Sequence, residues 1–221
     1  PDVLAEDFKR VEIKTPVDLS VRSSWEEIVS ELLNHEQIIC IVNKRSDCCE
    51  LHSLMPEGTI HLSALMCGEE RSQIISQIKS DLKNNKPVRV ISTQLVEAGV
   101  DIDFPVVYRA LAGMDSIAQA AGRCNREGKL TTEGKLGKVV VFNPPKAAPA
   151  GLLRKGEDAS KNILRLKNEI SLTPELFKEY FTAFYSSVNN FDKPGFSEKL
   201  VKDSGDFKFQ FRTFAQNFRL I

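Results

Sequence analysis

Two arginines stand three residues apart in the run Gln119-x-x-Gly122-Arg123-x-x-Arg126. A guanidinium fork meets two oxygens of a phosphoryl group at once, and an arginine presented to a phosphoryl group in transfer contributes about 10³ to 10⁵ in rate. If the segment is helical, the two side chains lie side by side. A bare Arg-x-x-Arg also suits a solvated helix face. Here the glycine before Arg123 and the glutamine upstream leave little bulk, which favours a backbone closing on a ligand. Upstream lie Ser92-Thr93-Gln94 and Glu97-Ala98-Gly99-Val100-Asp101. Hydroxyls and an amide there could grip phosphates. Asp101 and Asp103 form an i, i+2 carboxylate pair, and no third ligand stands near enough to make it a metal site.

These residues need elements to hold them. Within residues 88–128 the apolar runs Val88 to Ile91 and Val106 to Tyr108 predict short buried strands, each followed by a polar loop. Buried strands of this kind indicate an α/β parallel sheet, in which ligands sit at the carboxyl ends of the strands.

Taken together, Ser92-Thr93-Gln94-x-x-Glu97-x-Gly99-x-Asp101 and Gln119-x-x-Gly122-Arg123-x-x-Arg126 resemble motifs V and VI of a superfamily 2 helicase. The wording of residues 92–128 resembles the Cas3 helicase–nucleases of type I CRISPR systems, and the likeness extends over about residues 38–145. Asn43-Lys44-Arg45, behind an apolar run, resembles motif IV, and Ser63 with Arg71 resembles motif IVa. The resemblance implies that Arg123 and Arg126 reach the γ-phosphate of ATP with Gln119 beside them, and that Gly99 and Asp101 lie near the nucleotide. It implies further that Ser92, Thr93, Gln94, Asn43, Lys44, Ser63 and Arg71 hold the backbone of a single strand. Glu97 braces its loop or couples the two sites.

The activity so implied is ATP-dependent translocation on single-stranded DNA in antiviral defence. ATP and Mg²⁺ would be bound mainly by a first RecA-like lobe. That lobe, an HD nuclease domain and a Cascade-type surveillance complex are the implied partners. The sequence holds neither G-x-x-x-x-G-K-[ST], nor a DExD/H run, nor a His-Asp metal cluster, so the chain by itself is expected not to hydrolyse ATP. Two alternatives share these motifs: a RecG- or UvrB-like repair helicase, and a non-catalytic RecA-like module that clamps nucleic acid or a partner.

Composition excludes little. Thirty basic residues balance thirty acidic ones. Residues 151–221 hold 12 Lys/Arg against 9 Asp/Glu and the first 150 hold 18 against 21, an asymmetry within ordinary surface variation. Cys40, Cys48, Cys49, Cys67 and Cys124 form no C-x-x-C pair, and His35, His52 and His61 are not spaced as their partners. This argues against structural zinc or a disulfide framework and for reduced thiols in the cytoplasm. No apolar run reaches a membrane span.

Along the chain, residues 1–24 read as an interlobe lead-in with a short strand at Phe8 to Ile13. Its start at Pro1 suggests a piece of a longer chain. Ser23-Ser24 caps a helix with Glu26 and Glu27 in its first turn. Strands at Ile38 to Val42 and Thr59 to Ser63 and helices at Asp47 to Leu54 and Glu69 to Leu82 follow. A strand at Gly137 to Phe142 ends on Asn143-Pro144-Pro145. This alternation predicts a RecA-like three-layer sandwich on a mainly parallel sheet over residues 25–145. Residues 146–221 read as a mainly helical linker, with helices at Ser160 to Ile170 and Pro174 to Val188 and a strand at Phe207 to Phe211. Ten of the thirteen phenylalanines lie between 177 and 218. At helical spacing they indicate packing before base stacking.

Overall fold

The computed structural model describes residues 10–97, 99–165 and 170–188, together with Gly195 and Arg212. Two compact units divide the chain, Pro1–Phe184 and Tyr185–Ile221. In the second, residues 185–188, Gly195 and Arg212 are described. The predicted strand at Phe207 to Phe211 lies outside the described residues.

Six strands form one sheet: β1 (Val11–Lys14), β2 (Gln37–Val42), β3 (Ile60–Leu62), β4 (Val88–Thr93), β5 (Val106–Ala110) and β6 (Gly137–Phe142), in the order β1-β6-β5-β2-β4-β3. Every pairing is parallel. β2 shows why its run Gln-Ile-Ile-Cys-Ile-Val must be apolar throughout. Side chains alternate across a strand, so Ile39 and Ile41 enter one core while Ile38, Cys40 and Val42 enter the other. The lead-in is part of the sheet, since β1 pairs with β6 along one edge.

Helices cover both faces. α1 (Trp25–Leu32) starts on a full capping box, with Ser24 Oγ accepting from the Glu27 amide and the Glu27 carboxylate accepting from the Ser24 amide. α1 and α2 (Arg45–Leu54) bring Trp25, Ile28, Leu32, Cys48 and Leu51 onto Tyr108 and Phe142. On the opposite face α3 (Gly68–Lys83) and α4 (Met114–Ala121) contribute Ile78, Ala120 and Ala121. α5 (Lys129–Thr132) is a single turn that the sequence reading did not anticipate.

α4 is covered in turn. α6 (Leu152–Leu164) and α7 (Pro174–Ser187) bury Ala159, Ile163, Leu176 and Tyr180 against Leu111, Met114, Ile117 and Val141. α6 begins eight residues before the predicted Ser160, because Gly151 opens it directly after the proline-rich loop. Phe177, Phe181 and Phe184 pack against this cluster. No helix among the described residues is long and apolar enough to cross a membrane.

Candidate functional site

Residues 99–105 alternate like a strand. Ile102 and Phe104 are buried, Asp101 is exposed and Asp103 half-buried. The loop pairs with the segment following α4: the Phe104 amide donates to the Arg123 carbonyl at 2.9 Å and the Asn125 amide to the Phe104 carbonyl at 3.0 Å. This short ladder sets the two carboxylates beside the two arginines. Asp103 accepts from the Arg126 and Glu127 amides at 2.7 and 3.2 Å. Asp101 pairs with Arg126 at 2.9 Å and Lys79 at 3.7 Å. Asp103 thus holds the backbone of Arg126 and Asp101 its guanidinium.

The arginines are not on a helix. α4 ends at Ala121 with Gly122 as its C-cap, and Asn125 takes a left-handed backbone at φ 46°. Arg123 and Arg126 therefore project from a tight turn, which corrects the expectation that a helix presents them. Asn125 fixes the turn. Its amide donates to the Arg10 carbonyl and to Thr131 Oγ1, both at 2.9 Å, and its Oδ1 accepts from the Leu130 amide at 3.0 Å. Arg10 Nη1 reaches the Arg126 carbonyl at 2.6 Å. Gly137 lies against the turn, where a Cβ would come within 2.6 Å of Cys124 Sγ.

Arg123 is half-buried. Its Nε donates to the Val96 carbonyl at 2.9 Å and its Nη2 to the Glu97 carbonyl at 2.7 Å. Burial lowers its pKa, and the nearby Arg126 charge adds to this, while Asp101 and Glu97 oppose it. A guanidinium keeps its proton under such shifts. Gln119 and Gly122 are exposed on the neighbouring turn of α4. Gly99 is exposed with φ 73°, a left-handed conformation that favours glycine.

The residues expected to grip a strand share one rim, at the carboxyl ends of three neighbouring strands. Register sets Val42 beside Thr93 and Leu62 beside Ser92, so Lys44, Ser63 and Gln94 follow neighbouring strand ends. Lys44 and Gln94 are half-buried, and Arg71 is half-buried in the first turns of α3. Three side chains depart from the expectation. Ser92 is fully buried and its hydroxyl donates to the Leu62 carbonyl at 2.9 Å. Asn43 is buried, its amide donating to the Leu111 carbonyl at 2.8 Å. Ser63 is buried and caps its own turn. These groups are engaged inside the protein, because the rim must satisfy its own polar atoms first. Thr93, at the end of β4, is buried to the same extent as Asn43.

Below the rim lies a residue that the sequence reading passed over. Arg109, in β5, is completely buried. Its Nε stands 2.7 Å from Glu97 Oε1, and its Nη1 donates to Asn43 Oδ1 and the Ala110 carbonyl, both at 2.7 Å. Burial raises the Glu97 pKa and lowers that of Arg109, and each charge counters the shift of the other. A charged residue inside the apolar run Val106-Val107-Tyr108-Arg109-Ala110 was the available signal.

Residues 34–129 match the family described as CRISPR-associated nuclease/helicase Cas3, C-terminal. The Cas3 nuclease/helicase of Haloferax volcanii is 39% identical over 92 residues, which is 40% of this chain and 10% of that protein. The chain thus spans about a tenth of that relative's length. Among solved structures, T. fusca Cas3 with ADP superimposes with a TM-score of 0.62 at 16% identity, over 95% of this chain and 27% of that one. A CRISPR RNA-guided surveillance complex in its pre-nicking state contains a chain that matches with a TM-score of 0.61 at 18% identity, over 95% and 28%.

Proposed function

We propose, from the premise that residues 34–129 are a Cas3-type C-terminal RecA-like lobe, that this chain is the second lobe of an ATP-driven translocase on single-stranded DNA. One observation carries the reading. Both motif arginines are held by the loop that follows β4: Arg123 through the Val96 and Glu97 carbonyls, Arg126 through Asp101. The Arg126–Asp101 pair is largely exposed, so it contributes at most about 1 kcal/mol. A triphosphate can take Arg126 from Asp101 at little cost. Arg123 keeps its carbonyl partners and turns its remaining nitrogen to the phosphate.

ATP supplies the phosphoryl group whose transfer drives the cycle. In this lobe Arg123 and Arg126 would contact its terminal phosphate, with Gln119, Gly99 and Asp101 beside it. Mg²⁺ would accompany ATP, and it needs only one or two carboxylates beside the substrate phosphates. The ion and the phosphate cradle are assigned to a first lobe. Closure follows because the arginines gain a phosphate only when the lobes meet, and they lose it after hydrolysis.

Lys44, Thr93, Gln94 and Arg71 would hold strand phosphates with no base preference. Asn43, Ser92 and Ser63 shape that rim, their side chains being engaged internally. The nuclease domain and the CRISPR surveillance complex are the partners this family position suggests.

The test is Arg123→Ala in a protein that joins this lobe to its first lobe. The expected outcome is a fall of about 10³ or more in single-strand-stimulated ATPase kcat. A rate within a few-fold of the parent would sink the assignment.

A further inference from the structure

Arg109 belongs neither to the phosphate-facing pair nor to the strand-gripping rim, yet it touches what supports both. Its neighbours by register are Ile41 and Val141, so the site asks for an aliphatic side chain. A buried guanidinium there needs acceptors; Nη1 finds them, Nε lies against the Glu97 carboxylate as an ion pair, and Nη2 has no hydrogen-bond partner among the described residues. The acceptors come from separate parts of the chain: Asn43 behind β2, Ala110 in β5 and Glu97 in the loop behind β4. Glu97 is the junction. Its carboxylate meets Arg109, while its carbonyl, with that of Val96, holds Arg123.

We infer that Arg109 is a positioning residue: clamping Glu97 and Asn43 together, it fixes the carbonyls that hold Arg123 and joins them to the strand-gripping rim. This rests on the function proposed above for the rim and for Arg123. A lysine cannot replace it, since one ammonium cannot span acceptors spread around a planar fork.

The experiment reads placement without ATPase. The 221-residue chain is treated with phenylglyoxal and the modification of Arg123 and Arg126 is followed by peptide mass spectrometry. In the parent, Arg123 reacts several-fold more slowly than Arg126. In the double variant Arg109→Met/Glu97→Met, which replaces the pair with apolar volume, the two rates converge. Arg123 still protected in a folded double variant would overturn the inference. If that variant does not fold, Glu97→Gln keeps the shape and removes the charge, and an unchanged Arg123 rate overturns the inference equally.

A fluorescein-labelled oligothymidylate supplies the second arm. Binding, read by anisotropy, should slow Arg123 modification in the parent and leave it unchanged in Arg109→Lys. Binding that leaves the parent's Arg123 rate unaltered overturns the link to the rim. No binding overturns the functional reading and that link together, and the first arm still decides the placement of Arg123. A silent Arg123→Ala in the ATPase assay, with Arg123 loosened in the Arg109 variants, would retire the function and uphold the positioning.

Discussion

Asn125→Ala and Asn125→Gly separate two roles that one side chain performs. Both variants remove the bonds to the Arg10 carbonyl, Thr131 and the Leu130 amide. Arg10 is exposed and Leu130 half-buried, so water can replace part of the loss, and the low end of about 1 kcal/mol per unmet group applies. That gives roughly 2 kcal/mol for the Leu130 amide and the Arg10 carbonyl. Alanine adds about 1 kcal/mol for holding a left-handed backbone, which glycine adopts without strain. The expected losses are therefore about 3 kcal/mol for alanine and about 2 kcal/mol for glycine. The single tryptophan, Trp25, is buried edge-on to Phe142, so its fluorescence reports urea unfolding directly. With a slope of about 2.5 kcal/mol/M the two midpoints should differ by about 0.4 M. Equal midpoints, or alanine above glycine, would refute the claim that backbone conformation at Asn125 shapes the arginine turn.

Gly137→Ala should destabilise by about 1–3 kcal/mol through overpacking, because the new methyl would meet Cys124 Sγ at 2.6 Å and Asn125 Cβ at 2.8 Å; a thermal melt within a degree of the parent would contradict this. The pH dependence follows from His35 and His61. Burial lowers the pKa of both, with the Lys138 charge adding for His35 and that of His52 for His61. The unfolded chain then binds protons more readily, so stability should fall as pH drops through about 6.5, the unfolded value. Urea midpoints at pH 7.5 and 5.5 check the sign, and His35→Gln/His61→Gln should flatten the difference.

Much of the frame could be read in the sequence, because the two-faced burial of β2 and the amphipathic spacing of α3 are local patterns. The position of Lys44, Ser63 and Gln94 at strand ends was legible from the apolar runs before them. What the sequence hid was partnership at a distance. Nothing local distinguishes Ser92, whose hydroxyl closes on Leu62, from Thr93 one residue on. The turn after Ala121 depends on Asn125 meeting Arg10, 115 residues away. Arg109 and Glu97 become a pair only once β4 and β5 flank β2. Glycines at 113 and 156 were likewise silent, although side chains there would strike the Tyr180 hydroxyl.

That Tyr180 hydroxyl donates to Asp115 at 2.8 Å, at the head of α4. A recombinant fragment trimmed at the proline-rich loop would therefore keep every motif and lose the roof over Met114, Ile117 and Val141. Wetted on that side, the short helix leading to the arginines would be held on its sheet face alone, and the trimmed piece would tend to clump. Anyone wishing to crystallise or transplant the sheet with its motif turns should place the downstream cut beyond Phe184.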